Sequence, residues 1–253
     1  MKRLIFVSAF LLLLLTAAEA QTRVVAHRGY WTVDGCVENT LASLQNAADA
    51  KVWGSEFDVW ITADGKAVVH HDATVDGLRI ETARYKDVKK KRLKNGKRLP
   101  TLEEYLKLGR RLKDLRLVLE LKPHKERANE DRCVAEVLRL VGKYGVAKQT
   151  EYISFSMHIC EELVRRVPGV EVAYLGGNVS PEETKKRGLT GIDYSQNVFA
   201  KHPEWIAEAK RLGLVVNVWT VDQPEAMQHF VDEGVDIITT NYPIEAMKIA
   251  NGQ

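Results

Sequence analysis

Nine short apolar runs punctuate this chain, and most are separated by segments whose apolar residues recur at helical spacing. That alternation constrains the fold more than any single motif, because a strand–helix–strand repeat builds a parallel sheet covered by helices. The runs are 24–26, 55–62, 67–71, 115–121, 152–155, 170–175, 191–194, 214–220 and 235–239. Several are rich in Val, Ile and Leu, as strands buried on both faces must be. Between them, Asn39 is placed to cap a helix carrying Leu41, Leu44 and Ala48. Thr101 with Glu104 and Ser180 with Glu183 read as capping boxes, and Pro181 sits at a first helical position. Val134, Val137, Leu138 and Val141 form one helical stripe ended near Gly145. Trp205, Ile206, Ala209 and Leu212 form another ended by Gly213, and Asp222 starts a further helix. The pattern predicts an α/β chain folded as a (β/α)8 TIM-type barrel. An open doubly wound sheet is the rival. No G-x-G-x-x-G or P-loop run is present to favour it.

The first twenty residues stand apart from that pattern. Lys2 and Arg3 precede an apolar stretch over residues 4–18, and Ala18-Glu19-Ala20 forms a small-residue site. These features predict a signal peptide over residues 1–20, cleavage before Gln21, and export to the periplasm or medium. A retained anchor is the weaker reading, since the run is short for a span of about 20 apolar residues. Setting residues 1–20 aside leaves 35 basic and 33 acidic side chains of the original 37 and 34, a net charge of +2. That balance argues against a dedicated nucleic-acid binder. No Gly/Ser/Pro-rich linker divides residues 21–253, which read as one domain. Cys36, Cys133 and Cys160 are odd in number, so at least one thiol is unpaired within the chain.

Nine strands are one too many for the barrel, and residues 54–72, GSEFDVWITADGKAVVHHD, account for the extra one. Asp64-Gly65 is a hairpin signal, and no helix fits between the runs on either side. A two-residue loop places Asp58 opposite His71 and Val59 opposite His70. Opposed residues share a face, so Glu56, Asp58 and His71 project together while His70 points away. A slip of one residue reverses the choice. Two acids at alternate positions of an apolar strand are costly unless a cation compensates them. An edge strand with its acids in water is the bland alternative, and Phe57, Val59 and Ile61 argue against it. Residues 117–123, LVLELKP, repeat the pattern, with Glu120 and Lys122 on one face at the end of an apolar strand. Such strand ends are where barrel active sites are built.

In order along the chain, His27-Arg28-Gly29, Glu38-Asn39-Thr40, Glu56-Phe57-Asp58-Val59, His71-Asp72 and Glu120-Leu121-Lys122 resemble the successive motifs of the glycerophosphodiester phosphodiesterases. Trp219-Thr220-Val221-Asp222 and residues 234–239 are similar to that family's closing motifs, so the resemblance spans residues 24–243. It implies a (β/α)8 barrel with a hairpin instead of a helix between strands two and three. It implies hydrolysis of glycerophosphodiesters to an alcohol and glycerol 3-phosphate with a divalent cation. Matched by position, Glu56, Asp58 and Glu120 would hold the metal. His27 and His71 would be the acid–base pair, and Arg28 and Lys122 would contact phosphate. The chain departs from the pattern in a shortened segment at residues 77–82. It also has Asp222 and Asn241 where Asn and Asp are commoner in the family.

The chemistry agrees with those roles. Hydrolysing an anionic diester is mostly a matter of positioning and charge neutralisation. Three carboxylates without a Cys or His ligand suit Ca2+ or Mg2+ rather than Zn2+. Two imidazoles can share the taking and giving of a proton near neutral pH. Alternatives of other kinds are a phospholipase D-like enzyme on lysophospholipids or sphingolipids, and a non-catalytic phosphate- or carbohydrate-binding barrel. Trp219 reads equally as a wall of the substrate pocket and as barrel core. Glu38 either braces Arg28 or favours a helix start. The basic run 86–98 reads first as a solvated surface. His124, His158, His202 and His229 receive no role.

Overall fold

Eight of the nine apolar runs close on one another as parallel strands, and the ninth pairs antiparallel beside the second. The computed structural model describes residues 21–253; the leader expected over residues 1–20 lies outside the described residues. In chain order the strands are β1 (Arg23–Ala26), β2 (Gly54–Ile61), β3 (Ala67–Val69), β4 (Thr74–Val75), β5 (Leu78–Arg79), β6 (Arg116–Leu121), β7 (Thr150–Ser154), β8 (Val172–Tyr174), β9 (Gly191–Ser195), β10 (Val215–Trp219) and β11 (Ile237–Thr240). The helices are α1 (Leu41–Asp49), α2 (Tyr85–Val88), α3 (Leu102–Gly109), α4 (Arg127–Tyr144), α5 (Met157–Arg166), α6 (Pro181–Lys186), α7 (Gln196–Lys201), α8 (Glu204–Arg211), α9 (Pro224–Asp232) and α10 (Pro243–Ala250). The sheet runs β1-β11-β10-β9-β8-β7-β6-β2, and β1 pairs with β2 to complete the ring.

Alternation along the strands sorts the side chains. Phe57, Val59 and Ile61 of β2 join Leu117, Leu119 and Leu121 of β6 in the large core beneath the helices. Val25, Val118, Ile153, Leu175 and Ile237 fill the barrel interior. Glu56 pairs in register with Val118, and Asp58 with Glu120. The same parity that buries Val118 inside therefore turns all three acids inward, toward the C-terminal end of the barrel. A third cluster of Trp60, Val68, Val75, Ile80, Val88 and Leu99 packs beneath the excursion that follows β3. The basic run lies on that excursion, with its lysines largely exposed and Val88 anchoring it. The small β4–β5 hairpin and α2 carry no strong signal in the sequence.

Two local details differ from the sequence reading. The hairpin loop holds three residues, Ala63-Asp64-Gly65. Thr62 N–H donates to Lys66 O at 3.0 Å, and Gly65 adopts φ 82°. This is the bulged hairpin, which a glycine in the left-handed region makes possible. The register shifts by one, so Val59 pairs with Val69 and His70 N–H donates to Asp58 O. Asp58 therefore opposes His70 rather than His71. The strand also ends at Val69, so strict alternation no longer aims His71.

The second difference concerns caps. Thr40, not Asn39, caps α1, in a reciprocal box with Ser43. Gln223 is the cap residue of α9, and Asp222 is engaged elsewhere. Among the described residues no helix is long and apolar enough to cross a membrane.

Candidate active site

The turn after β1 sets the first functional groups. His27 N–H continues the β1–β11 ladder by donating to Thr240 O at 2.9 Å. Arg28 then takes φ 57° and Gly29 φ 79°, which turns the chain sharply. A Cβ on Gly29 would lie 2.7 Å from backbone carbon of Ser43, so α1 packs against this turn only because the position is glycine. Ser43 Oγ and Asn39 N–H both donate to Arg28 O, locking the turn to the start of α1. In return, Arg28 N–H donates to Glu56 Oε2 at 2.8 Å.

Glu56, Asp58 and Glu120 are all buried, and one oxygen of each lies within 4.8 Å of the others. Burial and the repulsion of Asp58 and Glu120 push the Glu56 carboxyl well above the usual range. Burial and Asp58 push Glu120 up to about 8. Burial acts the same way on Asp58, but Lys122, His71, Asn39 and Arg28 outweigh it and hold that carboxyl at about 2. One member of the cluster is thus a fixed anion, and the other two resist ionisation until a cation joins them. Lys122 Nζ reaches Asp58 Oδ1 at 3.1 Å and Glu120 Oε1 at 2.8 Å. Glu56 Oε1 is buried without a hydrogen-bond partner. An orphaned carboxylate oxygen beside two more carboxylates fits a hard divalent cation such as Ca2+ or Mg2+.

The positive groups sit against this cluster. Arg28 Nη1 pairs with Glu38 Oε2 at 2.9 Å, the bracing that one reading of Glu38 anticipates, and Arg28 Nε lies 3.9 Å from Asp58 Oδ2. Burial opposes the Arg28 charge, but Asp58 and Glu38 more than restore it. His27 is deep in the site, and burial and the Arg28 charge bring its imidazole down to about 4. Its Nδ1 lies 3.0 Å from Asn241 Oδ1. His71 sits at the edge, about one-third exposed, with Nδ1 2.8 Å from Asp72 Oδ1. It is the histidine whose charge Asp58 feels among its main neighbours. His70 is turned to the backbone, with Nε2 3.2 Å from Thr74 O. Trp219 packs partly on the interior cluster, as the core reading expects, donates from Nε1 to Asp193 O at 2.8 Å, and meets Phe155 edge to face at 5.5 Å.

Three further residues belong to the site's frame. Asn39 Nδ2 donates to Asp58 Oδ2 at 2.7 Å, and Asp58 N–H donates to Asn39 Oδ1 at 3.0 Å. Its φ of 58° is uncommon for a residue other than glycine, and Asn tolerates it best. Asn241 and Asp222 join through Asn241 Nδ2 and Asp222 Oδ2 at 2.7 Å. In the sequence, Asn39 and Asp222 read as helix starts, and Asn241, with Asp222, stands out only as a departure from the family pattern. Phe155 stands beside Lys122, with Nζ 6.0 Å from the ring centre.

The remaining histidines have structural employment. His124 Nε2 accepts from Ile61 N–H, His158 pairs with Asp131, His202 stacks on Trp205 and His229 packs on Phe230. A cavity of about 240 Å³ at the other end of the barrel is lined by the buried Asp193 and Asn217 and the half-buried Thr190, but by no histidine.

A parallel barrel with buried acids, a guanidinium, an ammonium and imidazoles at its C-terminal mouth defines a class: enzymes equipped for an anionic substrate and a hard cation. Comparison with known proteins narrows the class. The sequence profile of the Glycerophosphoryl diester phosphodiesterase family matches residues 26–245, and the chain belongs to that family. Its fold is similar to the crystal structure of a glycerophosphodiester phosphodiesterase from Parabacteroides distasonis, with a TM-score of 0.91 and 44% identity, covering 92% of this chain and 98% of that one. The glycerophosphodiester phosphodiesterase of Caldanaerobacter subterraneus subsp. tengcongensis is 28% identical over 237 residues, 88% of this chain and 95% of that protein. An Oleispira antarctica phosphodiesterase, crystallised with its product sn-glycerol-3-phosphate, shares the fold at a TM-score of 0.79 and 22% identity, over 91% of this chain and 97% of that one.

Proposed function

We propose that this chain hydrolyses glycerophosphodiesters to an alcohol and glycerol 3-phosphate, with one divalent cation and two histidines as proton carriers. The observation that carries the reading is the convergence of Glu56, Asp58 and Glu120 within 4.8 Å beside Arg28 and Lys122. Glu56, Asp58 and Glu120 would hold Ca2+ or Mg2+, which when bound would withdraw charge from the phosphoryl group. Arg28 presents a planar fork suited to phosphate oxygens, and Lys122 adds a point charge. His27 is neutral near pH 7, so it meets the reacting hydroxyl able to accept a proton. His71, at the edge of the site, is placed to serve the oxygen that must exchange with water. Trp219 and Phe155, in edge-to-face contact, would wall the side beyond Lys122.

In the first step, the free hydroxyl of the glycerol attacks phosphorus. One histidine takes its proton and the other protonates the departing alkoxide, leaving a cyclic glycerol phosphate. Water then opens the ring with the proton transfers reversed. Direct attack by water is the competing path. Rapid-quench samples in oxygen-18 water separate them, because only the cyclic path yields an unlabelled intermediate before labelled product.

The primary test is release of glycerol 3-phosphate from glycerophosphocholine and related diesters with Ca2+, Mg2+ or EDTA. Absence of turnover by folded protein under every metal condition would contradict the proposal. A second reading draws on the exposed apolar side chains Val33, Phe155 and Tyr242, which follow β1, β7 and β11. It assigns a lysophospholipid or sphingolipid substrate, and turnover of lipid vesicles but not of soluble diesters would favour it. The leader motif supports export as part of the proposal. An N-terminus beginning at Gln21 in protein recovered outside the cytoplasm is the expected result.

A further inference from the structure

The closing segment of the barrel contains an amide whose orientation is fixed by its neighbours. Asn241 Nδ2 faces Asp222 Oδ2 at 2.7 Å. The other oxygen, Asp222 Oδ1, accepts from Thr240 Oγ1 at 3.0 Å and from Asn241 N–H at 2.9 Å. A carboxylate offers only acceptors, so the Asn241 NH2 must face it and the Asn241 carbonyl must face away. That carbonyl oxygen meets His27 Nδ1 at 3.0 Å and Trp31 Nε1 at 3.3 Å. An indole N–H donates only, which independently requires oxygen at this atom. Two neighbours of known polarity, one on each side, therefore agree on the flip.

We propose that Asn241 is a positioning residue that keeps hydrogen on His27 Nδ1 and leaves Nε2 as the proton-exchanging atom, and that Asp222 sets the direction of the Asn241 amide. The catalytic meaning rests on the reading of His27 as an acid–base group; the tautomer itself does not. The arrangement explains the pair as a unit. Thr240 O also receives His27 N–H at 2.9 Å, so the segment that carries Asn241 fixes both the backbone and the ring of His27. A neutral amide orients the imidazole without placing a second full charge beside the acids of the site, which a carboxylate in contact with the ring would do.

Asp222→Asn tests the direction. Its carbonyl must stay on the Thr240 and Asn241 N–H donors, so its new NH2 would face the Asn241 NH2. Relief requires Asn241 to flip, which presents NH2 to His27 Nδ1 and moves the ring hydrogen to Nε2. Restoring an acceptor with Asn241→Asp in the same chain should return it to Nδ1. The readout is the nitrogen resonances of protein labelled with 15N-histidine, at a pH where His27 is neutral, with its signals identified by their loss in His27→Gln. Wild type should show a protonated Nδ1 and a bare Nε2. Asp222→Asn should show the reverse or a mixture, and the double variant D222N/N241D should restore the wild-type pattern.

In turnover, Asp222→Asn should lower kcat about 10- to 100-fold with KM nearly unchanged, and the double variant should recover most of it. A wild-type ring protonated at Nε2 overturns the proposal whatever the activity. So does an unchanged tautomer in Asp222→Asn. A correct tautomer in a protein whose His27→Gln variant turns over normally would leave this inference standing and remove the catalytic role of His27.

Discussion

The two histidines of the site are mounted on different kinds of structure. His27 continues a barrel strand, is held by Thr240 through its backbone and by Asn241 through its ring, and is half-buried. His71 lies two residues past the last ladder pair of β3, at the start of the excursion, and its ring partner Asp72 is exposed. The barrel holds one from many sides, and a short turn holds the other from one. A site can thus combine a rigid floor with an edge able to meet substrate and solvent.

Substitution gives the largest contrast. His27→Ala and His71→Ala are each expected to lower kcat by about 10²- to 10⁴-fold, the range of general acid–base catalysis. His70→Ala is expected to stay within about tenfold of wild type, since its ring serves the Thr74 carbonyl. A steady-state comparison of the three decides the assignment. Equal losses at His70 and His71 would break the distinction.

Acidity gives the next. Glu120 holds its proton to about 8 in the fold against an ordinary value near 4.5. A raised carboxyl favours the folded state fully below its unfolded value, and that contribution is lost as pH rises through the folded value. Metal-free protein should therefore show Tm falling between about pH 4.5 and 8 on account of this group, with Glu56 acting in the same direction. Saturating Ca2+ should restore Tm at pH 8 more than at pH 5 and should release protons on binding. Thermal melts across that range check the sign, and an equal effect of Ca2+ at both pH values would contradict it. His27 works in the opposite sense on the barrel side. Its depressed value stabilises the fold above pH 6.5, and the contribution disappears as pH falls through about 4.

Smaller effects sharpen the contrast further. Asn39→Ala removes one hydrogen bond from the buried Asp58 carboxylate and one from the Asp58 backbone N–H, and should cost about 1–3 kcal/mol of stability as well as activity, read by denaturant unfolding and kcat. Asp72→Asn acts on an exposed pair and should change kcat by less than about tenfold without moving Tm. If Asp72→Asn proved the more damaging, the edge would be as tightly built as the floor.

The same division governs what the sequence made legible. All nine apolar runs became strands, because burial on both faces writes a signal into every residue. The inward parity of Glu56, Asp58 and Glu120 followed from that periodicity. The hairpin register did not, because Asp-Gly serves a two-residue loop and a three-residue bulged loop alike, and the difference reverses every side chain after it. Asn39 and Asp222 were misread as caps for a related reason. A side chain suited to capping a helix is equally suited to holding another side chain, and here the partners lie nineteen residues away in each case. Phe155 was legible as the end of a strand, but its meeting with Trp219 and Lys122 depends on which strands become neighbours.

The central claim is that the three buried acids hold a divalent cation required for hydrolysis. The most direct test removes the metal with EDTA and returns Ca2+ or Mg2+ to wild type and to Glu56→Gln while glycerol 3-phosphate release is followed. The account predicts that EDTA abolishes release, that one of the two ions restores it in wild type, and that neither restores it in the variant. Full activity in EDTA, or full recovery of Glu56→Gln, would contradict it.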